Sequence, residues 1–306
     1  MEKLFKKTYF LWLAAGLCCL LWGSAFPAIK AGYSLFEIPS GDTASIILFA
    51  GIRFFLAGVL TLIIFSVIGR KPLIPQKSSF KRIAVLALFQ TVLQYVFFYL
   101  GLAFTSGSRG SVINASSVFF AMLLSGVVFK MERLKLNKII GSIIGFSGVV
   151  LISLDAFNST GGGIKGELFI LISSVSYAFS SVFIKRFSEY DNPAMLSGCQ
   201  FLLGGAALTL FGLAFGGRLT EVSLKGITLL VYLALVSAVA YSLWSLLLKY
   251  NDVSRVAVCG FMIPVFGFFL SALFEKTEIG IVSVISLILA VSGIITVNIK
   301  NNKTEI

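Results

Sequence analysis

The sequence predicts an all-α polytopic membrane protein: ten transmembrane helices in two inverted five-helix repeats (5+5), with both termini cytoplasmic. Three observations predict it. Of 306 residues, 58% are hydrophobic and only 12% are charged, whereas soluble domains carry about a quarter charged residues. Apolar runs of about 20 residues, the length that crosses a bilayer core, recur roughly ten times. Short patterns of the first half also return in the second.

The first span is 8–30. Lys3, Lys6 and Lys7 followed by an apolar run and Gly23-Ser24-Ala25 have the outline of a cleavable signal peptide. The apolar run continues past Ala25 to Ile29, however, so it reads as a retained first helix. Pro27 lies inside it and is expected to break or kink the helix, because proline removes a backbone donor and clashes with the preceding turn. At membrane depth such a break survives only where protein or a wet cavity satisfies the freed groups. The stretch Leu21–Lys30 has a degenerate copy in Ser176–Lys185, in which Trp22 matches Tyr177 and Lys30 matches Lys185 without a gap.

The remaining spans are 44–68, 82–103, 109–129, 137–154, 165–186, 194–216, 227–248, 255–274 and 280–298. Their short connections imply antiparallel neighbours. Pro72 and Pro75 punctuate the gap before the third span, and Asn158–Gly163 reads as a hinge between units 1–157 and 164–306. With the N-terminus inside, eighteen of the 25 lysines and arginines fall on the inner side. Five (Arg109, Lys165, Arg218, Lys225 and Lys276) fall outside, and Lys30 and Arg53 lie within the membrane. That excess sets both termini in the cytoplasm, and it accounts for the net charge of +12 without a nucleic-acid partner.

The repeat extends beyond the first span. On one constant offset Arg109 meets Arg255, Tyr95 meets Tyr241, Phe98 meets Trp244 and Glu132 meets Glu278. A unit of five helices is odd, so its second copy enters the membrane from the other side, the inverted arrangement that many secondary transporters use.

The Trp22-Gly23-Ser24 helix, Arg53-Phe54 in the second span, the Glu132-Arg133-Leu134 exit from the fourth and the glycines Gly141, Gly145 and Gly148 of the fifth carry a family likeness. With the 5+5 layout, they resemble the EamA branch of the drug/metabolite transporter superfamily over nearly the whole chain. The resemblance implies ten helices around a central cavity between the halves, lined by the first, third, fourth, sixth, eighth and ninth. It implies transport of small metabolites, often outward, without naming the substrate.

Polar and aromatic residues at membrane depth are the candidates for a solute path. Gln94 and Tyr95 in the third span, Asn114 in the fourth, and Tyr241 and Trp244 in the eighth are read as cavity-lining, against the plainer reading of interhelical hydrogen bonding. Trp22 and Tyr177 sit at matching places in the two copies and could join them in a ring enclosing an aromatic or cationic ligand, against helix packing. Arg53 is a charge at membrane depth with no carboxylate in any apolar core. Its expected partners are carbonyl groups freed at Pro27, with Gln94 or a substrate carboxylate as rivals. Lys30 and Lys185 read either as paired gate residues, with Glu37 or Asp42 and Glu189 or Asp191 within reach, or as snorkelling side chains.

Much chemistry is excluded. The chain has no histidine, and its four cysteines (Cys18, Cys19, Cys199, Cys259) lie in apolar runs without ligand spacing. There is no phosphate-binding loop for ATP and no clustered acids for catalysis. No enzyme activity, cofactor or metal is expected. The reading is a multi-pass protein of the cell (plasma or inner) membrane, a monomer or homodimer in lipid, that is expected to carry a small-molecule substrate such as an amino acid outward, as an exporter, by alternating access. The absence of a buried acid points to a facilitator or an exchanger. A lipid-carrier flippase of the same fold is the alternative within transport; a membrane-embedded enzyme or a scaffold is the alternative outside it.

Overall fold

Apolar runs in a membrane become helices because each backbone amide must find its partner within its own segment. A computed structural model describes residues 2–39, 41–104, 107–152, 164–275 and 280–299. The elements are α1 (Glu2–Phe5), α2 (Thr8–Leu35), α3 (Thr43–Ile68), α4 (80–104), α5 (107–128), α6 (Leu136–Ile152), α7 (Ile164–Phe187), α8 (Pro193–Ala214), α9 (Leu224–Tyr250), α10 (253–275) and α11 (Ile281–Asn298). Each predicted span falls on one of α2–α11. Among the described residues eight helices are long and apolar enough to cross a membrane, and Val112–Val128 and Leu136–Ile152 are shorter apolar helices. The hinge expected at Asn158–Gly163 and the Glu278 counterpart of Glu132 lie outside the described residues.

Local chemistry sets several helix starts. Asp42 accepts the Ser45 amide at 3.0 Å to cap α3. Asn192 accepts the Ala194 amide at 2.9 Å ahead of α8, with Pro193 at the first helical position, where its missing amide costs nothing. Ser223 accepts the Gly226 amide at 3.1 Å to open α9.

Pro27 does not interrupt its helix: α2 runs continuously from Thr8 to Leu35 with the proline inside. A proline removes one amide from the ladder, and the turns on either side keep the helix going. Departures from α geometry fall elsewhere, in π-helical turns at Ala87–Leu93 and Leu124–Val128 and a 3₁₀ turn at Val258–Phe261.

The closest helix pairs are α3 with α8 and α6 with α11, and α2 packs on α9 and α10 while α7 packs on α4 and α5. Lipid offers no hydrophobic drive between helices, so association relies on small residues that let backbones touch. A Cβ on Gly51 would stand 2.4 Å from the Thr209 amide nitrogen, and one on Gly205 2.3 Å from that of Phe55. At the other pair, a Cβ on Gly293 would stand 2.4 Å from the Gly145 nitrogen. Exposed Leu13, Val67, Ile143, Leu210 and Ile288 turn outward, where lipid meets them.

Candidate functional site

At mid-depth α2, α3, α4, α8 and α9 bring together a polar and aromatic centre. Trp22 stands edge-on to both Tyr241 and Trp244, each with ring centroids 5.0 Å apart. Phe54 packs on Tyr95 at 4.4 Å and stacks on Phe201 at 5.2 Å, and Phe201 meets Tyr241 at 4.9 Å. The Tyr95 and Tyr241 hydroxyls share a hydrogen bond of 2.7 Å. Arg53 is 3% exposed; its Nη2 donates to Ser237 Oγ at 3.2 Å, and its guanidinium lies 4.6 Å from the Phe54 ring centre. Arg53 Nε and Nη1, the indole nitrogens of Trp22 and Trp244, and Gln94 Oε1 are buried without a partner. A buried donor without an acceptor is costly, so such groups gathered in one place need an explanation.

The hydrogen bonds around this centre come in counterparts. Cys18 donates to the Ala240 carbonyl at 3.4 Å, and Ser173 donates to the Gln94 carbonyl at 2.7 Å. Cys19 donates to the Cys259 carbonyl at 3.1 Å, and Ser174 to that of Ile113 at 3.3 Å. Cys18 and Cys19 are separated from Ser173 and Ser174 by the interval that separates Trp22 from Tyr177. The acceptors Gln94 and Ile113 are separated from Ala240 and Cys259 by the interval from Tyr95 to Tyr241. On that second interval Thr91 matches Ser237, and the bond from Thr91 Oγ1 to Gln200 Oε1, 2.6 Å long, mirrors the Arg53–Ser237 bond. Gln200-Phe201 therefore stands in the second half where Arg53-Phe54 stands in the first.

The α1 end of the bundle is closed by charge. Glu132, after α5, accepts the Ser254 amide at 3.0 Å, the Ser254 hydroxyl at 2.6 Å and the Ser125 hydroxyl, and pairs with Lys138 at 2.6 Å. Lys138 also reaches Asp252 at 3.0 Å. Lys185 donates to the carbonyls of Leu248, at 3.2 Å, and Asn251, whose amide holds the Phe5 carbonyl at 3.1 Å. A shallow pocket of about 590 Å³ lies here, lined by Lys6, Lys185, Ser188, Glu189, Tyr250 and Arg255 among others.

Of the residues singled out from sequence, Trp22, Arg53, Gln94, Tyr95, Tyr241 and Trp244 meet at the centre, and Tyr177 is half-buried in α7, its carbonyl accepting the Ser180 and Ser181 hydroxyls at 2.8 and 3.1 Å. Asn114 is half-buried and forms no hydrogen bond with the described residues. Arg53 bonds Ser237 rather than carbonyl groups near Pro27. Lys30 is exposed and pairs with no acid among the described residues; Asp42 caps α3 instead. Asp191 does not serve Lys185, because Arg82 takes it at 2.5 Å and Ser79 at 2.6 Å. Sequence reasoning missed Phe201 and the Thr91–Gln200 pair. The signal for both was the Arg53-Phe54 and Gln200-Phe201 match, whose interval is one residue longer than that between Tyr95 and Tyr241.

A helical bundle apolar outside, and polar at a centre shared by both halves, defines a multi-pass membrane protein. The EamA-like transporter family model matches it twice, over residues 9–154 and 164–299, and the chain belongs to that family. It is 31% identical over 296 residues to an "uncharacterized transporter" of Archaeoglobus fulgidus, covering 93% of this chain and 94% of that one. It is 28% identical to the "uncharacterized transporter YvbV" of Bacillus subtilis, covering 92% and 89%. A chloroplastic WAT1-related protein of Arabidopsis thaliana is 25% identical, with 85% of this chain matched to 63% of that one. One crystal structure superposes with a TM-score of 0.76 at 18% identity, covering 94% of this chain and 96% of the other, a likeness of fold.

Proposed function

We propose that this protein is a secondary transporter that moves small organic metabolites, such as amino acids or related compounds, outward across the plasma membrane. It crosses ten times as two inverted five-helix units, 1–157 and 164–306, with both termini cytoplasmic. The observation that carries the reading is the set of paired hydrogen bonds converging on Tyr95 and Tyr241, which are counterparts of each other and bond directly. Residues related by a two-fold axis can touch only on or beside that axis, so it passes through the aromatic centre. Exchanging α2–α6 for α7–α11 also leaves the packed pairs unchanged: α2 on α9 and α10 becomes α7 on α4 and α5. Rocking of two such halves about a fixed central site is alternating access.

In this arrangement the α1 end, the cytoplasmic one, is shut. Lys185 holds α7 to the end of α9 there, and Lys30, its counterpart, is exposed at the far end of α2. When the carrier turns over, Lys185 releases Leu248 and Lys30 takes the counterpart carbonyl, that of Leu102. Glu132 and Asp191 are buried at the ends and engaged in ion pairs, and among the described residues no acid joins the central cluster to carry protons. The test is counterflow of labelled amino acids in proteoliposomes, with and without a proton ionophore. Exchange that survives the ionophore supports a facilitator or exchanger, abolished exchange removes that part of the reading, and no movement of any solute removes the carrier.

A further inference from the structure

Arg53 poses a question that the fold does not answer. It is 3% exposed, its guanidinium lies 4.6 Å from the Phe54 ring centre, and one nitrogen is held by Ser237. Nε and Nη1 have no acceptor, and among the described residues no carboxylate pairs with it. A charge at membrane depth is expensive and is kept where it does something. The second half shows that the scaffold does not require it. Neutral Gln200 occupies the counterpart position, fully buried; its Oε1 accepts from Thr91 Oγ1 at 2.6 Å, where Arg53 donates to Ser237, and its Nε2 is a buried donor without an acceptor but carries no charge. The asymmetry therefore concerns a ligand rather than the architecture.

Two further donors point the same way. The indole N–H groups of Trp22 and Trp244 are buried without acceptors, and both rings pack in the cluster that includes Tyr241. Cationic and neutral donors without an anion, set among aromatic rings, suit one oxyanion on an apolar body. Arginine recognises carboxylates through charge-assisted hydrogen bonds about twice as strong as neutral ones.

We infer that Arg53 forms the anion subsite of this carrier and binds the carboxylate of a small organic solute, whose apolar remainder packs against Trp22, Tyr241 and Trp244. The inference rests on the carrier reading above. The bound carboxylate supplies the counter-charge that the one central cation lacks, whereas a solute without a carboxylate leaves Arg53 unpaired.

The test uses the purified full-length protein in detergent, with 3-phenylpropionate, its uncharged amide 3-phenylpropionamide, and phenylalanine as probes. A bound solute raises the thermal midpoint by mass action. The two carboxylates are expected to raise it and the amide is not; phenylalanine against 3-phenylpropionate reads whether an ammonium is accepted beside the carboxylate. Arg53→Gln copies the residue the second half already uses, so it is expected to fold and to lose about ten- to a hundredfold in carboxylate affinity. Arg53→Lys keeps the charge without the fork; it is expected to lose roughly tenfold and serves if the glutamine variant does not fold. Equal stabilisation by the amide, no shift with either carboxylate, or unchanged affinity in the Arg53 variants overturns the inference. Uptake of a solute without a carboxylate, equally by wild type and Arg53→Gln in proteoliposomes, also overturns it, while leaving the carrier intact. Arg53-dependent carboxylate binding without transport of any solute instead overturns the carrier and leaves an anion site.

Discussion

Replacing Glu132 with alanine is expected to open the α1 end of the bundle. Its side chain is 2% exposed and bridges the exit of α5 in the first half to Ser254 at the start of α10 in the second. Removal takes the counter-charge from Lys138, itself 7% exposed, leaving it only Asp252, which is 46% exposed. It also strands the Ser254 amide and hydroxyl, and leaves the Ser125 hydroxyl only the Met122 carbonyl. Breaking a buried ion pair from one side costs about 3–5 kcal/mol. In the proposed carrier these partners come together only when this end is shut, so the cost falls on the shut state. At about 1.4 kcal/mol per decade the balance is expected to move roughly 10²- to 10⁴-fold toward the open state. The assay is maleimide labelling of a cysteine introduced at Ser188, a fully buried residue lining the pocket beside Lys185. Three of the native cysteines are buried and Cys199 is partly so, which keeps the background low. Labelling is expected to rise at least tenfold in Glu132→Ala and less in Glu132→Gln, which keeps an acceptor for Ser254. A fall in thermal midpoint with unchanged labelling would show that the network only holds the fold together, and the reasoning would fail.

Three further outcomes are expected. Tyr95→Phe and Tyr241→Phe each cut the same hydroxyl pair, so a double-mutant cycle on melting should give coupling of about 0.5–1.5 kcal/mol; strictly additive effects would deny the bond. Gly205→Ala should lower the melting midpoint markedly, since its Cβ would stand 2.3 Å from a backbone nitrogen of α3. Gly16→Ala, where nothing lies within 4 Å, should leave the midpoint unchanged or raise it, and equal losses at both sites would contradict the α3–α8 packing. Asp42→Ala should cost about 0.5–2 kcal/mol as a lost helix cap. Hydrogen bonds from the Ser45 side chain and backbone hold the Asp42 carboxyl below its ordinary 3.8. Its contribution is therefore full above that value and fades as pH falls through the depressed one. Asp42→Asn, which keeps an acceptor, should abolish that pH dependence, and an acid melting profile identical to wild type would refute the assignment.

Helix positions were legible because a bilayer demands about 20 apolar residues per crossing, and the caps at Asp42, Asn192 and Ser223 are local chemistry. Pro27 misled because a proline states that one amide is missing without stating whether the surrounding turns hold. The charges at the α1 end were harder still. Glu132 reads as the exit of the fourth span and Lys138 as the start of the fifth, with nothing to pair them to Asp252 and Ser254, and Asp191 sat closer in sequence to Lys185 than to Arg82, which takes it. Ion pairs are chosen by where the helices end in space, and chain distance carries little of that information.

The sequence by itself determined the class, a multi-pass membrane protein, through its long apolar runs and few charges, and it put forward Trp22, Arg53, Gln94, Tyr95, Tyr241 and Trp244 as the residues to watch. Only the tertiary structure decided that Tyr95 bonds its own counterpart, and that Cys18 and Cys19 do the work of Ser173 and Ser174. It alone showed that Arg53 and Gln200 hold equivalent places with different charge. The physical reason is that periodicity and length act within one helix, where the chain records them directly. A pairing between halves depends on the register of helices more than a hundred residues apart, and a one-residue difference in spacing is enough to hide it.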